Sequence, residues 1–324
     1  MQITIATHSG TGHADDAVGV AILLALHPHA RIVRTRNPDE IEMADFAVDV
    51  GGQWDPSTGR FDHHQKGFEQ SRPNNGPVYA SAGLVWSRYG AEFIRSRHPG
   101  LAEADVQLLG ELIDLEFIQY VDMADTGAAA SAPGRFGFSA FIDALAVTRL
   151  ERGQGYQGPV FGADTRLGQV VDADQSFLTA VQLSMLWLDR TLAHAYNNLK
   201  SRQIVLEAPR LHQGRTMVLP ASGLDWIKTV CEELPDVLFV IYPDSTDNQY
   251  HIRTVPVTPE SFKSRRELPP SWAGLRDQEL EKACSVPGAV FCHNNLFIAG
   301  ARELHGAVSM ARKALPIGGS DEFA

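Results

Sequence analysis

The feature that most constrains this chain is an apolar helix between short apolar strands. Residues 17–26 read Ala-Val-Gly-Val-Ala-Ile-Leu-Leu-Ala-Leu, which is apolar on every face and predicts a mostly buried helix. The strand-like run Ile3–Thr7 precedes it, and the runs Arg31–Arg36 and Phe46–Val50 follow it. Because strands and helices that alternate through short loops form parallel sheets, we predict an α/β domain with a parallel sheet here.

Length and a change of pattern predict a second domain. The chain has 324 residues, more than an average domain contains. A long helical pattern at about residues 170–207 is predicted to join the two domains. After it, short strands joined by turns alternate with helices, which is typical of a smaller α+β domain. We therefore predict domains at residues 1–200 and 201–324.

Composition narrows the class of protein. The formal net charge of −11 weakens a nucleic-acid-binding function without excluding it, because part of the acid belongs to a predicted metal site. The three cysteines form no CxxC pair, so neither a disulfide framework nor a thiolate zinc site is expected. The chain has no apolar stretch of about 18 residues and begins directly with a strand, so we expect a cytoplasmic protein.

Histidines and aspartates collect where the predicted elements end. Alone, each segment has an ordinary explanation, such as helix capping by Asp15 or turn formation by Asp49. Together they predict a metal site, because mixed His and Asp ligands suit Mn²⁺, Zn²⁺ or Fe²⁺, and two such ions form a clamp for phosphoryl transfer. The candidates lie in four segments: His8, His13 and Asp15; Asp49; Asp62, His63 and His64; Asp122 and Asp125.

Two of these segments leave alternatives open. Adjacent residues of a strand point to opposite sides, so one of His63 and His64 can bind a metal while its neighbour faces substrate or is held by Asp62. Asp122 and Asp125 are three positions apart and share one helix face. Acidic groups at a helix C-terminus are disfavoured by the helix dipole unless a cation offsets them.

The order and spacing of these motifs are similar to those of a known family. The series His13-x-Asp15, Asp49, Asp62-His63-His64 and Asp125-Thr-Gly127 resembles the four motifs of the DHH phosphoesterase superfamily. More closely, the chain resembles the melanocyte-proliferating-gene (MYG) exonuclease family over nearly its whole length. The segments that carry this likeness include Thr7–Asp15, Val48–Gly52, Phe61–Gln65, Ser81–Trp86, Phe239–Asp244 and Phe297–Gly300. It implies a DHH-type metal-binding domain followed by a smaller substrate-binding domain.

The resemblance also implies roles for individual residues. Asp49 would bridge two metal ions, for which Mn²⁺ is expected and Mg²⁺, Zn²⁺ or Fe²⁺ are alternatives. His64 would face the phosphate beside Asp62, and these two would form the catalytic group. The remaining ligands would be His13, Asp15, His63 and Asp125, with His8 as a further ligand and Asp122 as the alternative to Asp125.

The leading hypothesis is a metal-dependent phosphodiesterase that acts on RNA or short oligonucleotides. Studied eukaryotic members of the family are described as 3′→5′ RNA exonucleases, so the resemblance implies this polarity. The cationic candidates for gripping the phosphate backbone lie in the second domain: Arg253, Lys263, Arg265, Arg266 and Arg302. One alternative is hydrolysis of a small phosphoester, such as pyrophosphate or a cyclic dinucleotide. Another is a metal-stabilised RNA-binding protein without turnover. No membrane partner is expected, and a homodimer is left open.

Overall fold

The computed structural model describes residues 2–128, 137–148 and 173–315. Its contacts divide the chain into two compact units, Met1–Ala195 and Tyr196–Ala324. The division falls inside one 35-residue helix, α7, which spans Ala173–Glu207. The first three residues of the predicted joining helix, 170–172, lie outside the described residues. In the described part of the chain, no helix combines the length and the apolarity needed to cross a bilayer.

The first unit is built on a five-stranded sheet. Every pair of neighbouring strands runs parallel except the last, an antiparallel pair at the edge, so the predicted parallel sheet is confirmed. The strands are β1 (Thr4–Thr7), β2 (Arg31–Arg34), β3 (Phe46–Val48), β4 (Trp54–Asp55) and β5 (Arg60–Phe61). Their spatial order is β2-β1-β3-β5-β4.

Besides α7, the structure describes six α-helices of the first unit. They are α1 (Ala14–Leu26), α2 (Pro38–Glu42), α3 (Ser81–Arg97), α4 (Glu103–Ile113), α5 (Gln119–Asp125) and α6 (Phe138–Asp143). Helix α1 is buried from its first residue to Leu23 and packs against α3, as its apolar sequence predicts. Gly19 permits the close approach to the sheet, because a Cβ there would lie 2.8 Å from Val48 Cγ1. A π-helical turn, Asp114–Ile118, joins α4 to α5.

The second unit is a mixed sheet with helices, in agreement with the predicted α+β pattern. Strands β7 and β8 are its single parallel pair among the described residues. The strands are β6 (Arg210–Leu211), β7 (Thr216–Val218), β8 (Phe239–Pro243), β9 (Tyr250–Thr254), β10 (Ala289–Cys292) and β11 (Ile298–Ala301), in the order β10-β11-β9-β8-β7-β6. The helices are α8 (Ile227–Glu233), α9 (Asp277–Cys284) and α10 (Leu304–Ala314).

The sheet of the second unit buries both of its faces. Successive residues of a strand point to opposite sides, and β8 follows this rule. Phe239 and Ile241 pack into one core cluster, which includes residues of α9 and α10. Val240 packs into another cluster with Val205 of α7 and Val230 of α8. The continuous apolar run of β8 therefore reflects burial on both faces of the sheet.

Arg265 is half-buried and stabilises the second of these layers. Its two terminal nitrogens donate hydrogen bonds of 2.8 to 3.2 Å to five backbone carbonyls, those of Val230, Cys231, Leu234, Pro235 and Val237. Carbonyls at the end of a helix such as α8 lack partners within the helix, and the guanidinium supplies them. The prediction that Arg265 binds substrate phosphate is therefore corrected, because these donors are already used.

We expect Arg265→Ala to destabilise the protein by on the order of 2 kcal/mol, because several buried carbonyls lose a charged donor. Urea unfolding followed by circular dichroism measures the change. Arg266→Ala is the matched control, since Arg266 is exposed and its removal should change the free energy of unfolding by less than about 0.5 kcal/mol. Equal effects of the two substitutions would contradict this role for Arg265.

Candidate metal centre

The predicted side chains meet at the carboxyl edge of the first sheet. His8 follows β1, Asp49 follows β3, and Asp62, His63 and His64 follow β5. Because these three strands run parallel, the residues just beyond their ends emerge on the same side. Polar residues that each follow a different strand in the sequence therefore form one cluster in three dimensions.

Asp49 lies at the centre of the cluster. Its Oδ2 is 3.4 Å from His8 Nε2, while its Oδ1 is 3.6 Å from His63 Nε2 and 3.3 Å from His64 Nδ1. The two oxygens of one carboxylate thus face different histidines, which is the arrangement a bridging ligand requires. The convergence of Asp49 with His63, predicted from the sequence, is confirmed.

The backbone of Asp49 adopts a conformation that few residue types tolerate. Its φ of 55° is left-handed, a region in which aspartate and asparagine are enriched among residues with a side chain. The Asp49 amide donates to the Phe61 carbonyl at 3.0 Å, which ties the end of β3 to β5. The Ser81 hydroxyl donates to Asp49 Oδ1 at 3.1 Å, so the carboxylate is oriented from a third element.

Asp15 is held by the N-terminus of α3. Its Oδ2 accepts from the Ser81 amide at 3.0 Å, and its Oδ1 accepts from the Ala82 amide at 2.6 Å. These amides have no partner within their own helix and favour a negative charge. Helix α1 is capped instead by Asp16, whose Oδ1 accepts from the His13 amide at 2.7 Å. Asp15, for which the sequence allowed a capping role, thus serves the centre, and Asp16 caps the helix.

Two sets of three donors can each surround a cation, and the sets lie next to each other. Within each set, one donor atom per residue lies within 4.8 Å of the others. The sets are His8, His13 and Asp49, and Asp15, His63 and Asp125. Asp49 also groups with His63 and His64, which joins the two sets through one carboxylate. Two divalent ions about 4 Å apart, as in two-metal hydrolases, fit such a layout.

The electrostatics of the cluster favour a bound cation. Burial and the nearby carboxylates of Asp49 and Asp125 raise the pKa of Asp15 well above its ordinary value. Burial lowers the pKa of His63, but the Asp125 and Asp49 carboxylates outweigh it and raise that pKa to about 10. The Asp16 carboxylate, 3.1 Å from His8 Nε2, raises the pKa of His8. The protein thus gathers more buried negative charge than its own groups stabilise, and a divalent cation would offset it.

Two buried atoms of the cluster add to this fit. His63 Nε2 and Asp16 Oδ2 have no hydrogen-bond partner among residues 2–128, 137–148 and 173–315. His63 Nε2 lies 3.1 Å from Asp125 Oδ2, yet the pair is not aligned for a hydrogen bond. An imidazole nitrogen and carboxylate oxygens that converge without bonding to one another suit a transition-metal ion.

The alternative ligand Asp122 makes its contacts outside the donor sets. Its Oδ1 accepts from the Gly83 amide at 2.9 Å, and its Oδ2 lies 2.8 Å from Arg72 Nη2. Arg72 is buried and also contacts Asp114 through two hydrogen bonds of 2.7 Å. Asp125, one turn further along α5, is the residue that reaches His63.

Asp62 positions His64 and does not face the cluster itself. Its Oδ1 accepts from the His64 amide at 3.0 Å and lies 2.8 Å from His64 Nδ1. Its Oδ2 accepts from the Gly52 amide at 2.6 Å. The His64 side chain is 61% exposed, whereas that of His63 is 12% exposed. The buried histidine is thus suited to bind metal, and the exposed one is open to a substrate.

The remaining candidate cations belong to the second unit, and their role stays a prediction. Lys263 and Arg266 are exposed on the segment between β9 and α9. Arg253 lies on β9 with its Cζ 5.8 Å from the centre of the Trp226 ring. Arg302 follows β11 and lies 3.9 Å from the exposed Asp277 carboxylate.

Sequence reasoning missed two residues that shape the centre. Ser81 orients Asp49, and Arg34 donates to the His8 carbonyl at 3.1 Å and the Gly10 carbonyl at 2.7 Å. Arg34 therefore holds the loop that carries His8. A serine before the apolar run Ala-Gly-Leu-Val signals the start of α3, but no local pattern indicates its contact with a residue 32 positions away.

Comparisons with known proteins place the chain in a family. The family model described as "MYG1_exonuc: Uncharacterised protein family (UPF0160)" matches residues 4–315. The chain belongs to this family. Human MYG1 exonuclease is 32% identical over 336 residues, which cover 96% of this chain and 85% of the relative. The MYG1 protein C694.04c of Schizosaccharomyces pombe is 31% identical over 340 residues, covering 97% of each. The family resemblance read from the motifs is confirmed.

Solved structures give a much weaker likeness. RecJ from Thermus thermophilus in complex with Mn²⁺ aligns with 96% of this chain at 15% identity and a TM-score of 0.25. The chain spans about half of the RecJ chain, 51% of its length. A score this low does not establish a shared fold, so the DHH-type assignment stays a prediction from the motifs.

We expect Asp49→Asn to abolish binding of two Mn²⁺ ions while the protein stays folded. Asparagine tolerates the left-handed backbone of Asp49 but cannot donate a negative oxygen to two ions. Mn²⁺ content after equilibrium dialysis, measured by mass spectrometry, tests this. Asp236→Asn, at an exposed position of the second unit, is the control. Retention of two tightly bound ions by Asp49→Asn would rule out the bridging role.

Proposed function

We propose that this protein is a DHH-type phosphodiesterase that depends on divalent metal ions and acts as an exonuclease on RNA or short oligonucleotides. The observation that carries the proposal is the pair of donor sets joined by Asp49 beside the exposed ring of His64. The name of the human relative, an exonuclease, supports the same reaction class. Mn²⁺ is the ion we expect, with Mg²⁺, Zn²⁺ and Fe²⁺ as alternatives.

The chain's own residues divide the work of such a reaction. Divalent ions held here would activate water as a nucleophile and neutralise charge on the phosphate oxygens. Asp49 keeps the two donor sets together, and the amides of α3 keep Asp15 aimed at its set. Asp62 occupies His64 Nδ1, which leaves His64 Nε2 to contact a phosphate oxygen of the substrate.

The direct test is to incubate the pure protein and Mn²⁺ with RNA labelled at either end. We propose 3′→5′ polarity, so a 5′ label should appear in a ladder of progressively shorter products. A 3′ label should appear at once in mononucleotides. No hydrolysis of RNA, oligonucleotide or pyrophosphate would favour the non-catalytic RNA-binding alternative.

Hydrolysis of a small phosphoester is the second candidate. The formal net charge of −11 favours it, because a long polyanion is repelled by an acidic protein more strongly than a small ester is. Turnover of pyrophosphate or a cyclic dinucleotide with RNA left intact would replace the exonuclease proposal with this one.

His64→Ala should separate metal binding from turnover. Because the exposed ring is proposed to contact phosphate and not metal, the variant should keep most of its Mn²⁺ while turnover falls by roughly 10²-fold or more. Metal content and the hydrolysis rate of a dinucleotide are the two measurements. His29→Ala, at an exposed histidine of the same unit, is the control. If His64→Ala lost as much Mn²⁺ as Asp49→Asn, His64 would be a ligand instead.

Removing Lys263 and Arg266 together should affect long substrates selectively. If both contact the RNA backbone, the double alanine variant should bind RNA more weakly. Its plot of log affinity against log salt should flatten by about 0.7 per lost phosphate contact on a single strand. Hydrolysis of a dinucleotide should change much less. Unchanged RNA binding would argue against this surface.

A further inference from the structure

One guanidinium beside the metal centre has no role in the scheme above. Arg36 lies two residues beyond the end of β2, and its side chain is exposed. Its Nη2 lies 3.3 Å from Nδ1 of His8, a residue of the first donor set. The charge of Arg36 therefore lies at the rim of the metal centre and does not belong to the buried contacts that position the centre.

Arg36 differs from Arg34, its neighbour on the same side of the strand. The Arg34 side chain is 5% exposed, pairs with Asp174 at 2.9 Å and donates to backbone carbonyls. For Arg36, no carboxylate lies within 4.0 Å in the described ranges. An arginine carries five N–H donors, and at most one of those of Arg36 is used at His8 Nδ1. The others are free to bind an anion.

The position of Arg36 relative to the donor sets indicates which anion it can bind. His8, which Arg36 contacts, faces Asp49 Oδ2, whereas His64 faces Asp49 Oδ1. Arg36 is therefore next to the histidine that faces one oxygen of the bridging carboxylate, and its side chain is exposed. A phosphate bound at the His8 donor set would lie beside the Arg36 guanidinium.

We propose that Arg36 binds the substrate phosphate from the His8 side of the centre. This inference rests on the proposed phosphodiesterase function. The ligand is the phosphate group of a phosphodiester, whose non-bridging oxygens match the forked donors of a guanidinium. Arg36 acts on the phosphate at the centre, so it serves short and long substrates alike, in contrast to the cations of the second unit.

A purely structural role for Arg36 has less support. Arg34 already holds the His8 carbonyl, and His8 Nδ1 lies 3.2 Å from the Ser9 carbonyl, which can accept its proton. The His8 ring is therefore oriented without Arg36. A charged side chain at an exposed rim adds little to stability but adds directly to binding of an incoming anion.

Arg36→Gln and Arg36→Lys test the proposal, with Arg31→Gln as the matched control. Arg31 is exposed at the opposite end of β2, so its substitution makes the same change in net charge away from the centre. Three quantities are measured: Mn²⁺ content, binding of inorganic phosphate to the Mn²⁺-loaded protein by calorimetry, and kcat/KM for a dinucleotide and for RNA.

We expect Arg36→Gln to retain its Mn²⁺ and to bind inorganic phosphate roughly 10- to 100-fold more weakly, the loss typical of a charged hydrogen bond. The kcat/KM values for dinucleotide and RNA should fall by similar factors. Arg36→Lys should recover part of the loss, because lysine keeps the charge without the fork. Arg31→Gln should behave as the unsubstituted protein.

Three results would overturn the inference. Loss of Mn²⁺ from Arg36→Gln would show that Arg36 supports His8 structurally. Unchanged phosphate binding would show that it does not meet the anion. Equal effects of Arg31→Gln would show a response to net charge alone. If the unsubstituted protein bound phosphate but hydrolysed no phosphodiester, the proposed function would fail, while the phosphate affinities of the variants would still decide the role of Arg36.

Discussion

The metal centre depends on the first turn of α3 more than on any of its own ligands. The amides of Ser81 and Ala82 bind Asp15, the amide of Gly83 binds Asp122, and the Ser81 hydroxyl binds Asp49. Glycine is needed at residue 83, because a Cβ there would collide with Asp122 Oδ2. One helix end thus orients carboxylates from three separate segments, using donors that a helix leaves unpaired.

This arrangement orients the carboxylates without adding a positive charge beside them. The arginines make their contacts elsewhere: Arg72 pairs with Asp114 and Asp122, and Arg34 holds a loop. Asp15 is bound by backbone amides and Asp49 by a hydroxyl, neither of which carries a net charge, so both carboxylates remain available to cations. An arginine in place of those amides would compete with a metal ion for the same oxygens.

The sequence predicted what depends on local order and missed what depends on distant contacts. His8, Asp49 and His63 could be grouped because each follows a short apolar strand, and parallel strands bring such ends together. Asp122 and Asp125 could not be separated from their pattern, since they share one helix face. The deciding partner of Asp122 is Arg72, fifty positions earlier in the chain.

The same limit applies to cations. Arg265 and Arg266 are neighbours in sequence, yet one supports the end of α8 and the other is exposed.

The net charge of the chain misleads about its substrate for the same reason, because it does not show where each charge lies. The net charge of −11 argues against a polyanionic substrate only if the substrate comes close to every acidic side chain. Asp15, Asp16 and Asp49 are buried around the proposed cation sites, whereas the exposed groups at the rim include His64 and Arg36. An incoming phosphate would therefore meet an imidazole and a guanidinium, together with the exposed Asp125 carboxylate, before it meets those buried carboxylates. Coulomb interactions between exposed charges fade beyond about 10 Å at moderate salt, so the groups at the rim affect the phosphate more than the acidic surface further away.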